Sequence, residues 1–122
     1  MTLDSSFFLL QRSVPSDLVV CALIENALGY ALAAEKDFTT AVRHYKAALR
    51  AKEDYPVAMN NLAFAQERLL ENEEACALYR QALALDPKNK TARKRLNRLE
   101  RSAAREKSSN QASPKGPDGR GF

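Results

Sequence analysis

Residues 56–89 read PVAMNNLAFAQERLLENEEACALYRQALALDPKN, and residues 22–55 read ALIENALGYALAAEKDFTTAVRHYKAALRAKEDY. Laid one under the other without a gap, these two 34-residue blocks agree at seven positions. The identical pairs are Asn26/Asn60, Leu28/Leu62, Ala31/Ala65, Ala41/Ala75, Tyr45/Tyr79, Ala48/Ala82 and Leu49/Leu83. Gly29/Ala63 and Tyr30/Phe64 are close substitutions. A fixed period of this length points to stacked units, each covering an apolar face that its neighbour cannot bury alone.

Each block carries two helical patterns. In the first block they run up to Lys36 and over Phe38–Lys52. In the second, Pro56 suits a first helical position, where its fixed φ fits and its missing N–H costs nothing. That helix is expected to reach about Glu71. Asn72, Glu73 and Glu74 then make a turn, and the next helix covers Glu73–Leu85. It stops at Asp86-Pro87, because a residue before proline avoids the helical region. Small residues at Gly29/Ala63 and Ala41/Ala75 let the helices of a pair cross closely. Ala48/Ala82 do the same toward the next unit, and Tyr45/Tyr79 with Leu28/Leu62 fill the space between.

Bulk properties agree with one small all-α domain. The chain has 122 residues, 45% of them hydrophobic, with four Gly and five Pro. That is too little turn chemistry for a β-sandwich, and the Ala- and Leu-rich middle favours helix. Charge is uneven: residues 1–89 carry a net −3 and residues 90–122 a net +7. Residues 90–107 have apolar Ala92, Leu96, Leu99 and Ala103 on one face and charge elsewhere, the pattern of a capping helix. Asn89 suits its N-cap. At the other end Ser16 is the expected cap of the first helix. Residues 18–34 are apolar but interrupted by Glu25 and Asn26, and are expected to form a buried helix rather than a membrane span. Residues 1–15 carry no clear pattern and lack the basic start of a secretory signal. Residues 108–122, rich in Ser, Pro and Gly, are expected to be disordered. The resulting division is 1–15, a repeat domain over 16–107 with units 22–55, 56–89 and 90–107, and a tail from 108.

Nothing in the sequence assembles a catalytic set. His44 is the single histidine and is expected to face solvent. Glu73 and Glu74 sit at a helix N-terminus, which explains them electrostatically. Cys21 and Cys76 read as small helical hydrophobes in a reducing compartment, with a disulfide between them left open. No metal site, cofactor or small-molecule substrate is expected.

The blocks resemble the tetratricopeptide repeat family. Ala63, Ala75, Tyr79, Ala82 and Pro87 carry the likeness in the second block, and Gly29, Ala41, Tyr45 and Ala48 in the first, with Glu53 where the family has proline. The resemblance implies antiparallel helix pairs stacked as a short superhelix, ending in the capping helix. It also implies a non-catalytic adaptor that binds a partner protein or peptide in a concave groove. Carried over, the groove positions are Leu23, Asn26, Tyr30 and Ala33 in the first unit. They are Val57, Asn60, Asn61, Phe64, Glu67 and Arg68 in the second, and Lys94, Arg95, Arg98 and Arg101 on the cap. The partner-binding candidates among them are Asn26, Tyr30, Asn60, Asn61, Phe64, Arg68, Lys94, Arg95 and Arg98. Asparagine amides can grip a peptide backbone through both donor and acceptor. Arginine and lysine favour acidic groups on the partner. The terminal-carboxylate clamp of chaperone-binding members is not expected, because only Asn61 and Arg95 match its five positions.

NALGYAL (26–32), YKAAL (45–49), AMNNLAFAQER (58–68) and LDPKNKTARKRL (85–96) are also similar to the tetratricopeptide photosystem I assembly proteins of cyanobacteria and plastids. The chain is expected to be intracellular and soluble, in the cytoplasm; the likeness implies instead an assembly factor in the plastid stroma or at the thylakoid surface. The alternative reading has the basic 90–107 helix binding nucleic acid or an anionic membrane. Nucleic acid is the less favoured, because that helix offers no aromatic platform for bases. Peripheral membrane contact and self-association stay open.

Overall fold

In a computed structural model describing residues 15–112, the chain forms five helices: α1 Ser16–Ala34, α2 Phe38–Ala51, α3 Pro56–Arg68, α4 Asn72–Leu85 and α5 Lys90–Ala112. No strand occurs among the described residues. Loops of three or four residues join them, which makes successive helices antiparallel neighbours. Each helix packs on the next in chain order. The expectations for residues 1–14 and 113–122 fall outside the described residues.

The 34-residue period is written into the backbone as well as the side chains. Lys36 and Leu70, 34 apart, both adopt positive φ, at 68° and 66°. After each of them the chain closes the same reverse turn. The Asp37 N–H donates to Leu32 O at 2.9 Å, and the Glu71 N–H donates to Gln66 O at 2.8 Å. These six-to-one bonds satisfy carbonyls left orphaned at the ends of α1 and α3. This tight turn ends α3 at Arg68, short of the expected Glu71, and lets α4 begin at Asn72.

The buried side chains repeat too. Ala41/Ala75, Tyr45/Tyr79 and Ala48/Ala82 are all fully or nearly fully buried. Gly29 allows a close approach: a Cβ there would lie 2.6 Å from Tyr45 Cε1. One cluster joins Ala41, Val42 and Tyr45 of α2 to Leu62 and Ala65 of α3. The other joins Met59 and Ala63 of α3 to Tyr79 of α4 and to Ala92, Leu96 and Leu99 of α5. Ala92, Leu96 and Leu99 stand 34 residues after Ala58, Leu62 and Ala65. Helix α5 therefore packs on α4 as α3 packs on α2, taking the place of a first helix in a third unit. Asn89 caps it, its Oδ1 accepting from the Ala92 N–H at 3.1 Å. The helix continues to Ala112 instead of stopping near 107, because Ser108, Ser109 and Asn110 tolerate helix and no Pro or Gly intervenes before 114. Ala103, expected on the packed face, is exposed.

The first helix departs most from expectation. Only Ala22 and Gly29 of α1 are buried. Ile24 and Leu28 are 54% and 45% exposed, whereas their equivalents Ala58 and Leu62 are 0% and 3% exposed. The reason is positional. This face of a first helix packs on the second helix of the unit before it, and among the described residues no unit precedes α1. By length and composition α1 is apolar enough to cross a membrane. Ser16 is not its cap: Pro15 holds the N-cap position, and no side chain closes the helix end. Both cysteines are free, Cys21 exposed and Cys76 half-buried. Burial is the main cause that raises the Cys76 thiol pKa.

Candidate functional site

The groove candidates fall into two neighbouring regions. At the first, Tyr30, Ala33 and Ala34 of α1 meet Tyr45 of α2 and Asn61 and Phe64 of α3 around a recess of about 200 Å³. Tyr30 is 66% exposed, so it does not pack the core and its ring is free to meet a partner. Phe64 is half-buried and leans edge-on to Phe38, with ring centroids 6.2 Å apart. Arg68 is not directed into this recess; its guanidinium sits over the Phe38 ring, 5.7 Å from the centroid.

The amides are committed differently from the expected peptide grip. Asn61 Nδ2 donates to Asn26 Oδ1 at 3.0 Å, bracing α3 against α1. Each amide still has bonding capacity left, but the pair is first an interhelical tie. Asn60 corrects its expectation more strongly. Its Oδ1 is sealed from solvent without a hydrogen-bond partner, so it cannot accept from a peptide. Asn60 stands one turn before Phe64 on the same side of α3, but with this oxygen turned inward. A second tie between helices lies at His44, whose Nδ1 is 2.7 Å from Glu25 Oε1. His44 is thus half-buried and paired, not simply solvent-facing.

Glu67 organises the second region. Its side chain is 7% exposed and accepts from three donors. Tyr79 Oη lies 2.6 Å from Oε1, Arg95 Nη1 is 3.3 Å from the same oxygen, and Arg98 Nη2 is 2.8 Å from Oε2. A carboxylate removed from water is tolerable only with such partners. Arg95 also stacks on Phe64, with Cζ 4.5 Å from the ring centroid, a contact worth about 0.5–2 kcal/mol. Burial and the bond to Glu67 push the Tyr79 hydroxyl pKa well up. Phe64, Arg95 and Glu67 thereby join the aromatic recess to the basic helix. Glu67 was legible as a groove position but not as the group that fixes both arginines. The only sequence signal is a lone acid among bases.

Beyond Glu67, Lys94, Arg95, Arg98, Arg101 and Arg105 line a trough of about 610 Å³ along α5. Among the described residues no carboxylate lines it, and Glu67 reaches it only through its bonds to Arg95 and Arg98. Among the described residues, no cluster of three or more His, Cys, Asp or Glu could hold a metal ion.

Paired helices in a 34-residue period, with a recess on their first helices, make an all-α helical-repeat fold of the tetratricopeptide type. The tetratricopeptide repeat family pattern matches residues 56–89. Two relatives are both named uncharacterized protein ycf37. The protein from Cyanophora paradoxa is 38% identical over 79 residues, covering 65% of this chain and 46% of that protein. The one from Pyropia yezoensis is 35% identical over 77 residues, covering 63% and 43%. The match thus spans under half the length of either relative.

Proposed function

We propose that this protein is a non-catalytic adaptor that holds a partner protein on the face formed by α1, α3 and α5, in the assembly of a multi-subunit complex. One observation carries the reading. Tyr30 is a large aromatic left two-thirds exposed at the mouth of a recess shared with Asn61 and Phe64. Exposed aromatics over preformed recesses are the usual anchors of protein interfaces. The tetratricopeptide repeat supports protein or peptide binding as the general activity. The likeness to photosystem I assembly proteins supports photosystem I as the complex, and the plastid stroma or thylakoid surface as the place. The other reading, α5 on nucleic acid or an anionic membrane, draws on the trough cations but has no aromatic on α5 for base stacking.

Reversing Arg95 and Arg98 would be a poor test, because two new carboxylates would face Glu67 and disturb the fold. Tyr30→Ala removes a side chain that the core does not use. Tagged wild-type protein should co-purify with a partner identified by mass, expected to be a photosystem I subunit. Tyr30→Ala should lose most of that partner while keeping its melting temperature. Undiminished capture by the variant would rule out this recess as the anchor.

A further inference from the structure

Three of the trough cations on α5, Lys94, Arg101 and Arg105, have no carboxylate within ion-pair distance among the described residues. We propose that this face of α5 is a rail for an acidic stretch lying inside a partner's chain, not for a terminal carboxylate. The proposal deepens the groove reading and rests on it for the partner being a protein.

Glu67 shows the chemistry that this face accepts. It already occupies Arg95 and Arg98 with one carboxylate fixed by the fold. The remaining cations extend the same series along the helix. Arg98 to Arg101 is about 4.5 Å along the axis and Arg101 to Arg105 about 6 Å, at 1.5 Å per residue. An extended peptide rises about 3.3 Å per residue and turns alternate side chains to one side, about 6.6 Å apart. Acidic residues at every second position therefore stay close to step with the cations. From Lys94 to Arg105 the rail covers about 16 Å, far more than a single chain terminus can engage.

Larger polyanions fit less well. Residues 15–89 carry a net charge of −3, and a membrane or duplex wide enough to cover the molecule would meet that repulsion. A short acidic segment confined to α5 would not. Arg98 is 61% exposed, and its remaining N–H groups can serve a ligand while Glu67 keeps its own bond.

The test uses a fluorescein-labelled peptide with glutamate at alternate positions between glycine and serine, amidated at its C-terminus. Controls are the same peptide with glutamine, a short DNA duplex, and phosphatidylglycerol-containing vesicles. Fluorescence anisotropy should show the glutamate peptide binding, weakening as salt rises, and the glutamine peptide not binding. Arg101→Glu with Arg105→Glu, both on exposed positions, should weaken binding on the order of tenfold or more. Circular dichroism should show the variant still folded. Tyr30→Ala should leave this peptide's affinity unchanged, since the probe carries no side chain for the recess. Equal binding of the glutamine peptide, equal binding by the double variant, or tighter binding of DNA or vesicles would overturn the rail. Those outcomes leave the recess to be judged by Tyr30→Ala and the co-purified partner. Loss of that partner dependence alone would overturn the recess and not the rail.

Discussion

Gly29 and Ala63 occupy the same place in successive units, yet only Ala63 leaves room for its own methyl group. At Gly29 a Cβ would come within 2.6 Å of Tyr45 Cε1 and 2.7 Å of Cδ1. The Tyr45 ring is 1% exposed and would have to shift out of its packed position to admit the methyl group. Helix propensity favours Ala over Gly by about 1 kcal/mol, while overpacking a closed core costs about 1–3 kcal/mol. The second term should win. Gly29→Ala is expected to lower stability by about 1 kcal/mol in urea denaturation, and a stabilised variant would mean that α1 and α2 adjust freely. The same residue scale explains the groove. Asn60 and Asn61 are neighbours of one type, and sequence offers no reason to separate them. Their helical angle does: one amide reaches Asn26, and the other turns its oxygen into the packed flank.

At the scale of elements, the turn after each first helix is the feature that sequence concealed. Lys36 and Leu70 share no chemistry, and neither is the glycine that a left-handed turn usually recruits. Only the backbone shows that they do the same job, with φ of 68° and 66°. Leu70 is 82% exposed, so its side chain contributes little packing. Leu70→Gly removes the steric cost of the left-handed conformation, about 1 kcal/mol, against a smaller entropic penalty in the unfolded chain. A rise in the urea midpoint equivalent to about 0.5 kcal/mol is expected; a fall would mean that Leu70 packs more than its exposure implies. Helix existence and order were legible from the 34-residue period, and so was the Asn89 cap. Helix ends were less so, because they depend on this turn and on the reach of α5 past Ser108.

For the whole molecule, the two ends of the stack differ. The last helix turns charge outward, while the first leaves Ile24 and Leu28 partly exposed. Sequence made α1 look buried because residues 18–34 are apolar yet interrupted by Glu25 and Asn26. What composition cannot carry is whether a neighbour exists to cover it. Between these ends the two units are tied by a tyrosine each, and both tyrosines make the whole fold sensitive to alkali. Burial, with a smaller contribution from Tyr30, pushes the Tyr45 pKa up from 10.0 to about 12. Burial and then Glu67 push Tyr79 up further. In the unfolded chain both hydroxyls ionise near the ordinary value of about 10. Below that pH both states hold the protons and the contribution is complete. Above it the unfolded chain sheds protons that the folded one retains, so stability falls until the folded pKa is reached. Each tyrosine then costs on the order of 1 kcal/mol per pH unit. The urea midpoint should hold steady to about pH 9.5 and drop steeply toward pH 11. Tyr79→Phe should begin lower, because Glu67 loses a donor worth about 1.5 kcal/mol. It should then fall with roughly half the slope, since only Tyr45 remains to release its proton. Parallel slopes for the two proteins would mean that Tyr79 does not hold its proton in the folded state, and that its link to Glu67 is not what keeps the second unit closed.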